Sequence, residues 1–161
     1  MLNKIMKSFT DLFYMTKRKR EKFEHKNPNE KVLAADASKS IVTEKNKEIQ
    51  YGFEWVVSKR AVILLTDKRI ICGKREIPLN IITTAQLIRV NKIGQVLKIQ
   101  TDDDKNYQFG MQYNPEWTEQ QTLPLIIKNE KIKYSSFSII IRLIAIGYLI
   151  YIIYTRFIIN L

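Results

Sequence analysis

Lysine–arginine pairs are the residues of this sequence with the clearest capacity for chemistry. They occur within and just before the stretch AVILLTDKRIICGKREIPLNII, at Lys59-Arg60, Lys68-Arg69 and Lys74-Arg75. Ammonium and guanidinium groups hold anions, and a guanidinium binds a phosphate or carboxylate through paired hydrogen bonds. The pairs therefore indicate an anion-binding surface, unless the long side chains only extend into water at the ends of strands.

The register of a β-hairpin can be worked out from a two-residue turn at Asp67-Lys68. It places Arg60 directly opposite Arg75, and like charges that face each other across a sheet repel. With Lys59 and Lys74 nearby, one end of the hairpin gathers four cations. These four residues are candidates for a site that binds an anionic lipid headgroup or an acidic peptide; the alternative is that their side chains extend into water at a strand end.

The same register separates the two faces of the hairpin. One face is apolar throughout and is predicted to lie in the core: Ala61, Ile63, Leu65, Ile70 and Cys72. The other carries Val62, Leu64 and Ile71, with polar and charged residues at its ends. Lys68-Arg69 is interpreted as charged trim of the turn.

Residues suited to catalysis are few. The single histidine, His25, lies in a charged run, and the single cysteine, Cys72, lies in an apolar run typical of a buried core position. The acidic triplet Asp102 to Asp104 lacks the spacing of an EF-hand loop and is typical of a hairpin tip. No glycine-rich phosphate loop is present in the sequence. We predict a protein that is not an enzyme, with no metal site and no cofactor.

The charge of the chain favours a phosphate-bearing partner. Its 27 Lys and Arg residues against 16 Asp and Glu residues give a net charge of +11. Anionic membranes and nucleic acids both attract such a chain. Nucleic acid is the less favoured partner, because no surface of interleaved aromatic and basic residues is evident.

The N-terminal segment combines an apolar stripe with a basic run. Apolar residues recur at helical spacing from Met1 to about Tyr14, which predicts an amphipathic helix that can continue into the run TKRKREKFEHKNPNEK. This helix could lie in a membrane interface, or dock on the rest of the protein or on a partner. In the first case, five basic residues are candidates for contact with the membrane surface: Lys17, Arg18, Lys19, Arg20 and Lys22.

Between Val32 and Gln112 the sequence is typical of β-structure. Short apolar runs separated by turn residues predict eight strands, which short connections would pair antiparallel: Val32–Ala37, Ser40–Thr43, Phe53–Val57, Ala61–Thr66, Arg69–Gly73, Thr84–Val90, Gln95–Thr101 and Tyr107–Gln112. The segment NPEWTEQQTL then predicts a short helix, which Asn114 caps and Pro124 ends.

The C-terminal segment is strongly apolar. From Ile139 to Ile159 it carries two charges, Arg142 and Arg156, and at about 1.5 Å per residue it is as long as a bilayer is thick. This pattern predicts a single transmembrane helix, although a buried helix would show the same composition. Lysines on its N-terminal side would place the preceding domain in the cytoplasm. The expected arrangement is a tail-anchored protein of the cell membrane.

A resemblance to a known family rests on the hairpin and on the segment after it. LLTDKRII followed by IPLNII resembles the second and third strands, and the next turn, of GRAM and bacterial pleckstrin-homology (PH) domains. The similarity extends more loosely from about Glu30 to Gln121, through a strand meander to a helix bearing Trp117. It implies a bent, barrel-like antiparallel sheet with one end closed by a short C-terminal helix, and a binding role without catalysis.

These inferences combine into one predicted organisation. An amphipathic helix and basic linker (residues 1–31) precede a PH/GRAM-like β domain (32–123), a linker (124–136) and a transmembrane anchor (137–161). The predicted function is that of a membrane-anchored adaptor that binds anionic lipid headgroups or a protein partner at the cytoplasmic face. A structural subunit of a membrane protein complex is the alternative, and a nucleic-acid-binding protein is the third.

Overall fold

The helices and strands of the chain are those of a computed structural model, which describes residues 2–44, 58–90, 94–130 and 136–157. The chain divides into two compact units, Met1–Glu130 and Lys131–Leu161. The helices are α1 (Leu2–Tyr14), α2 (Thr16–Lys26), α3 (Glu116–Glu119) and α4 (Ser136–Phe157). The strands are β1 (Val32–Glu44), β2 (Lys59–Thr66), β3 (Arg69–Cys72), β4 (Arg75–Pro78), β5 (Ile82–Val90), β6 (Gly94–Thr101), β7 (Lys105–Gln112) and β8 (Ile126–Glu130).

The first unit is mainly β and is built on one eight-stranded sheet. Its strand order is β4-β3-β2-β1-β7-β6-β5-β8. Neighbouring strands are antiparallel except that β8 runs parallel to β5. The prediction of a purely antiparallel sheet is therefore wrong. A parallel neighbour requires a long connection, and here the chain passes through β6, β7 and α3 before it returns to the edge of the sheet.

The strand boundaries differ from the prediction in three places. Val32–Ala37 and Ser40–Thr43 form one continuous strand, β1, which pairs with both β2 and β7. β4 and β8 are strands that the sequence pattern did not predict, because no turn was assigned at Gly73-Lys74 and residues 124–136 were assigned to a linker. The predicted strand Phe53–Val57 lies outside the described residues.

The prediction of a C-terminal transmembrane helix is wrong. A helix, α4, does form at this position, but within the described ranges no helix is both long enough and apolar enough for a bilayer crossing. The physical reason is that Arg142 and Arg156 confine the uncharged stretch to residues 143–155. That stretch is shorter than the about 20 apolar residues that a spanning helix needs.

The core of the first unit lies on one face of the sheet, where α3 covers it. Its largest side chain is Trp117 of α3, which is fully buried beside Phe109 of β7 and Leu65 of β2. The opposite face of β1 and β2 carries a second, smaller apolar cluster, against which Tyr14 of α1 and Phe23 of α2 pack. The two N-terminal helices therefore belong to the fold of this unit, and α2 together with the end of α1 covers the outer face of β1 and β2.

Candidate functional site

The hairpin of β2 and β3 follows the predicted register close to its turn. Leu65 pairs with Ile70, Leu64 with Ile71, and Ile63 with Cys72. The face predicted to be buried lies in the core, with Ile63, Leu65, Ile70 and Cys72 all buried and Ala61 packed against them. Alternation of side chains across a strand is therefore sufficient to assign this hairpin's two faces.

The predicted pairing of Arg60 with Arg75 is wrong. Strand β3 ends at Cys72, and a second turn follows at Gly73, whose backbone is left-handed with φ of 65°. Glycine adopts this conformation without steric cost, so the chain reverses here. Arg75 therefore lies in β4, where it pairs with Cys72 of β3 and not with Arg60 of β2.

The four predicted anion-binding residues are distributed over two faces of the sheet. Arg60 pairs with Lys39 of β1, and Lys59 pairs with the neighbouring Ser40. The Arg75 guanidinium donates a hydrogen bond to Ser40 Oγ over 2.9 Å, and Lys74 is exposed in the turn. Because adjacent residues of a strand point to opposite faces, Arg60 lies on one side with Lys39, and Lys59 and Arg75 on the other.

A like-charged pair does exist on the outer face, with Lys39 as the partner of Arg60. Partial burial lowers the pKa of Lys39, and the positive charge of Arg60 lowers this pKa further. Both effects make a nearby anion favourable, because it would stabilise the charged form of the lysine. Arg60 also borders the α1 residues Phe9, Leu12 and Phe13.

The sequence pattern assigns Arg69 to charged trim of the turn, but this residue makes further contacts. Its guanidinium contacts Glu30 Oε2 at 2.9 Å and Glu76 Oε2 at 2.7 Å, and lies 5.9 Å from the centre of the Phe23 ring. Burial opposes ionisation of Glu30, but hydrogen bonds from Arg69 and Thr66 outweigh it. The pKa of Glu30 is therefore below its usual value. Arg69 is thus a structural residue that joins the hairpin to the segment before β1.

The five basic residues of α2 that were predicted to contact a membrane have two different roles. Lys17, Arg18, Lys19 and Lys22 are exposed, and Lys17 has only a loose contact, 3.9 Å, with Glu21. Arg20 points inward instead. Its guanidinium contacts Glu116 of α3 at 2.9 Å and donates to the Val32 carbonyl over 2.8 Å. Arg20 therefore fixes α2 to the sheet and does not belong to the exposed basic surface.

We expect Arg20→Ala to lower the free energy of unfolding by about 1–2 kcal/mol, because it removes hydrogen bonds between charged groups that are partly shielded from water. The matched control is Arg18→Ala on the exposed side of the same helix, for which we expect a change within about 0.5 kcal/mol. Urea unfolding followed by Trp fluorescence measures both. Equal effects of the two substitutions would contradict the separate role of Arg20.

Helix α1 docks on the sheet through its polar side. Lys7 Nζ lies 2.6 Å from Asp36 Oδ1 of β1, and Gln112 of β7 donates a hydrogen bond to Thr10 Oγ1 over 2.9 Å. Asp36 also accepts hydrogen bonds from Asn114 Nδ2 at 2.8 Å and from Trp117 Nε1 at 3.0 Å. We refer to Asp36, Lys7, Asn114 and Trp117 as the Asp36 cluster. It joins α1, β1 and the helix that closes the core.

The two charged members of the Asp36 cluster influence each other's protonation. Burial raises the pKa of Asp36 above its usual value, although Lys7, Asn114 and Trp117 all act to lower it. Burial would lower the pKa of Lys7, but the Asp36 carboxylate, with a smaller contribution from Asp11, outweighs it and raises this pKa. The lysine therefore stays charged at neutral pH, and α1 is held through a partly buried positive charge.

The apolar stripe of α1 is exposed as a result. Phe9 is 70%, Leu12 is 75% and Phe13 is 81% exposed, and Ile5 lies on the same stripe. An amphipathic helix on a globular protein ordinarily buries its apolar side. The sequence pattern is compatible with a stripe that faces the protein, a partner or a membrane. Here the packing is reversed, and the stripe faces away from the sheet. Contiguous exposed apolar surface of this kind marks an interaction site.

A groove runs between α2 and the outer face of β2 and β3. Its volume is about 340 Å³. Apolar side chains form its floor: Phe23, Val62, Leu64 and Ile71. Along one side stand Lys19, Lys22 and Lys26, which share one face of α2 because they are three and four residues apart. We call this feature the α2 groove. The sequence reading missed the groove and Lys26, because it did not place α2 against the hairpin.

The arrangement supports binding of an anionic, partly apolar surface or ligand. Within the part of the chain that the structure describes, no three His, Cys, Asp or Glu side chains are grouped so as to hold a metal ion. Cys72 is buried, with its sulfur 3.4 Å from Ser38 Oγ, and His25 is exposed. Comparisons with protein-family models and with curated proteins find no match to this chain.

Proposed function

We propose that this chain is a non-catalytic domain that binds the surface of an anionic membrane through α1 and the exposed basic residues of α2. The observation that carries the proposal is the reversed packing of α1, which presents Phe9, Leu12 and Phe13 to the surroundings. A helix of this type lies in the plane of the membrane interface, with its apolar side among the acyl chains.

The charges beside α1 have the sign that an anionic membrane requires. Lys17, Arg18, Lys19 and Lys22 follow α1 directly and are exposed, and Arg60 borders its apolar stripe. Each Lys or Arg held near an anionic surface contributes about 1 kcal/mol of binding. We place the domain at the cytoplasmic leaflet, because anionic phosphatidylserine and phosphoinositide lipids concentrate there.

We further propose that the sheet is a PH-like domain of the GRAM or bacterial type. The meander from β1 to β7 and the position of Trp117 in a short helix after β7 support this proposal. The resemblance places no binding role on α1 and α2. Membrane contact through these helices is therefore a proposal about this chain in particular.

A tryptophan at position 13 tests the proposal at the predicted point of insertion. We expect the fluorescence of Phe13→Trp to shift to shorter wavelength when vesicles of phosphatidylcholine with phosphatidylglycerol are added, because the indole leaves water. Lipids brominated on the acyl chain should quench it. Binding should weaken as salt is raised from about 0.05 to 0.5 M, because ions screen the charges of exposed basic residues.

The reporter distinguishes insertion of α1 from any other contact of the full chain with lipid. Asn80→Trp, at an exposed position between β4 and β5 outside the proposed membrane surface, is the control and should show a smaller shift and weaker quenching. If the full chain binds vesicles while the tryptophan at position 13 stays in water, α1 is not the membrane-binding element. A protein partner for the apolar stripe would then be the better hypothesis.

A further inference from the structure

The α2 groove combines an apolar floor with a basic wall. Its floor is apolar, with the partly exposed Ile71 beside Val62 and Leu64. Its wall carries Lys19, Lys22 and Lys26, all exposed, and none forms an ion pair with another residue in the described ranges. The residues that line the groove include no acidic side chain. A ligand that satisfies both parts has an apolar body and an anionic end.

The size of the groove decides between two kinds of occupant. Two turns of an α-helix with side chains, about 10 Å across and about 11 Å long, fill about 850 Å³. The groove encloses about 340 Å³, so most of such a helix would lie outside it. This volume lies near the lower end of the range for small-molecule sites, about 300–1,000 Å³. A single acyl chain is narrow enough to lie along the apolar floor.

The charge of the wall favours a phosphate as the anionic end. A phosphate monoester carries a charge of about −1.5 to −2 near neutral pH and has three strong acceptor oxygens. Three ammonium groups on one helix face are opposite to it in charge and equal in number to its acceptor oxygens. A neutral or cationic headgroup would leave the three lysines to repel one another without compensation.

We propose that the α2 groove binds a single-chain lipid phosphate, with its acyl chain on Val62, Leu64 and Ile71 and its phosphate held by Lys19, Lys22 and Lys26. This proposal names a lipid class for the proposed membrane-binding function and rests on that function only for the source of the lipid. Recognition in the groove does not require insertion of α1, so the two proposals can fail separately.

The test is a titration of the full-length chain with a short-chain lysophosphatidate, kept below its critical micelle concentration and without any bilayer. The readout is the methyl NMR signals of Leu64 and Ile71, which report the groove alone. We expect saturable shifts of these signals. The matched ligand is a monoacylglycerol with the same chain, which should bind at least tenfold more weakly. Equal affinity for the two ligands, or unshifted groove methyl signals, would overturn the proposal.

Two groove variants test the two halves of the site. Lys22→Glu/Lys26→Glu should weaken binding at least tenfold and leaves the apolar core intact. Ile71→Trp fills the space above the floor and should also weaken binding at least tenfold, because it excludes the acyl chain. Lys31→Glu/Lys128→Glu is the matched control, since it makes the same change of charge at exposed positions outside the groove and outside the proposed membrane surface, and it should bind like the unaltered chain. If the control pair loses as much affinity as the groove pair, general charge attraction explains the binding and the groove proposal is refuted.

Discussion

Replacing Asp36 with alanine is expected to lower the free energy of unfolding by about 3–5 kcal/mol, because it removes the buried acceptor of the Trp117 indole and one of the two carboxylate partners of the partly buried Lys7. The Asp36 carboxylate is almost fully buried and accepts hydrogen bonds from Lys7, Asn114 and Trp117. The indole N–H of Trp117 lies in the core and would lose its acceptor. Each buried donor left without a partner costs about 1–3 kcal/mol.

Urea unfolding, monitored by far-ultraviolet circular dichroism, measures this loss. The double variant Asp36→Ala/Lys7→Met separates the two causes, since it removes the ammonium that has lost one of its two carboxylate partners, while the Trp117 indole still lacks its acceptor. We expect the double variant to be more stable than Asp36→Ala alone. A loss below about 1 kcal/mol for Asp36→Ala, within the range of an ordinary surface substitution, would show that the Asp36 cluster does not hold α1 and α3 to the sheet.

The Asp36 cluster also shows where sequence reasoning ends. Asp36 is separated from Lys7 by 29 residues and from Trp117 by 81, and the three lie on three different elements. A lone acidic residue in a strand pattern carries no signal of such partners. The opposite holds for the β2–β3 hairpin, where a two-residue turn and strict alternation define the pairing of Leu65 with Ile70.

The errors at the ends of this hairpin have a local cause. Extending the register to Arg60 and Arg75 assumed an unbroken strand through Gly73, although glycine commonly interrupts strands. The left-handed backbone at Gly73 gives Arg75 a different neighbour and divides the predicted cation cluster between two faces. A turn assigned at Gly73-Lys74 would have predicted β4.

The orientation of α1 could not be read from its pattern, since the same apolar stripe would appear in a helix packed against a core. Hydropathy predicts that one side of the helix avoids water but does not identify what covers it. The polar contacts of Lys7 and Thr10 with the sheet decide the orientation, and these depend on Asp36 and Gln112, which are distant in sequence.

The reversed packing of α1 leads to the largest expected effect on binding. Phe9→Ser/Leu12→Ser/Phe13→Ser should weaken binding to anionic vesicles by more than a hundredfold. Full burial of one such apolar side chain gains about 1.5–3 kcal/mol. Even about 1 kcal/mol from each partly inserted side chain amounts to about 3 kcal/mol, and every 1.4 kcal/mol is a tenfold change in affinity. The three side chains are exposed, so the fold should retain its stability.

This measurement must account for the contribution of helix α4 to vesicle binding. The helix exposes Ile140, Leu143 and Ile144, which can also contact lipid. Replacing these three residues with serine gives a matched variant and a background in which that contribution is reduced. In this background, vesicle co-sedimentation should show strong binding with α1 intact and little binding with the α1 serines. If the α1 serines leave binding unchanged there, the apolar stripe does not enter the membrane. A protein partner for the apolar stripe would then be the better hypothesis. A contiguous apolar surface that is exposed on a protein marks an interaction site.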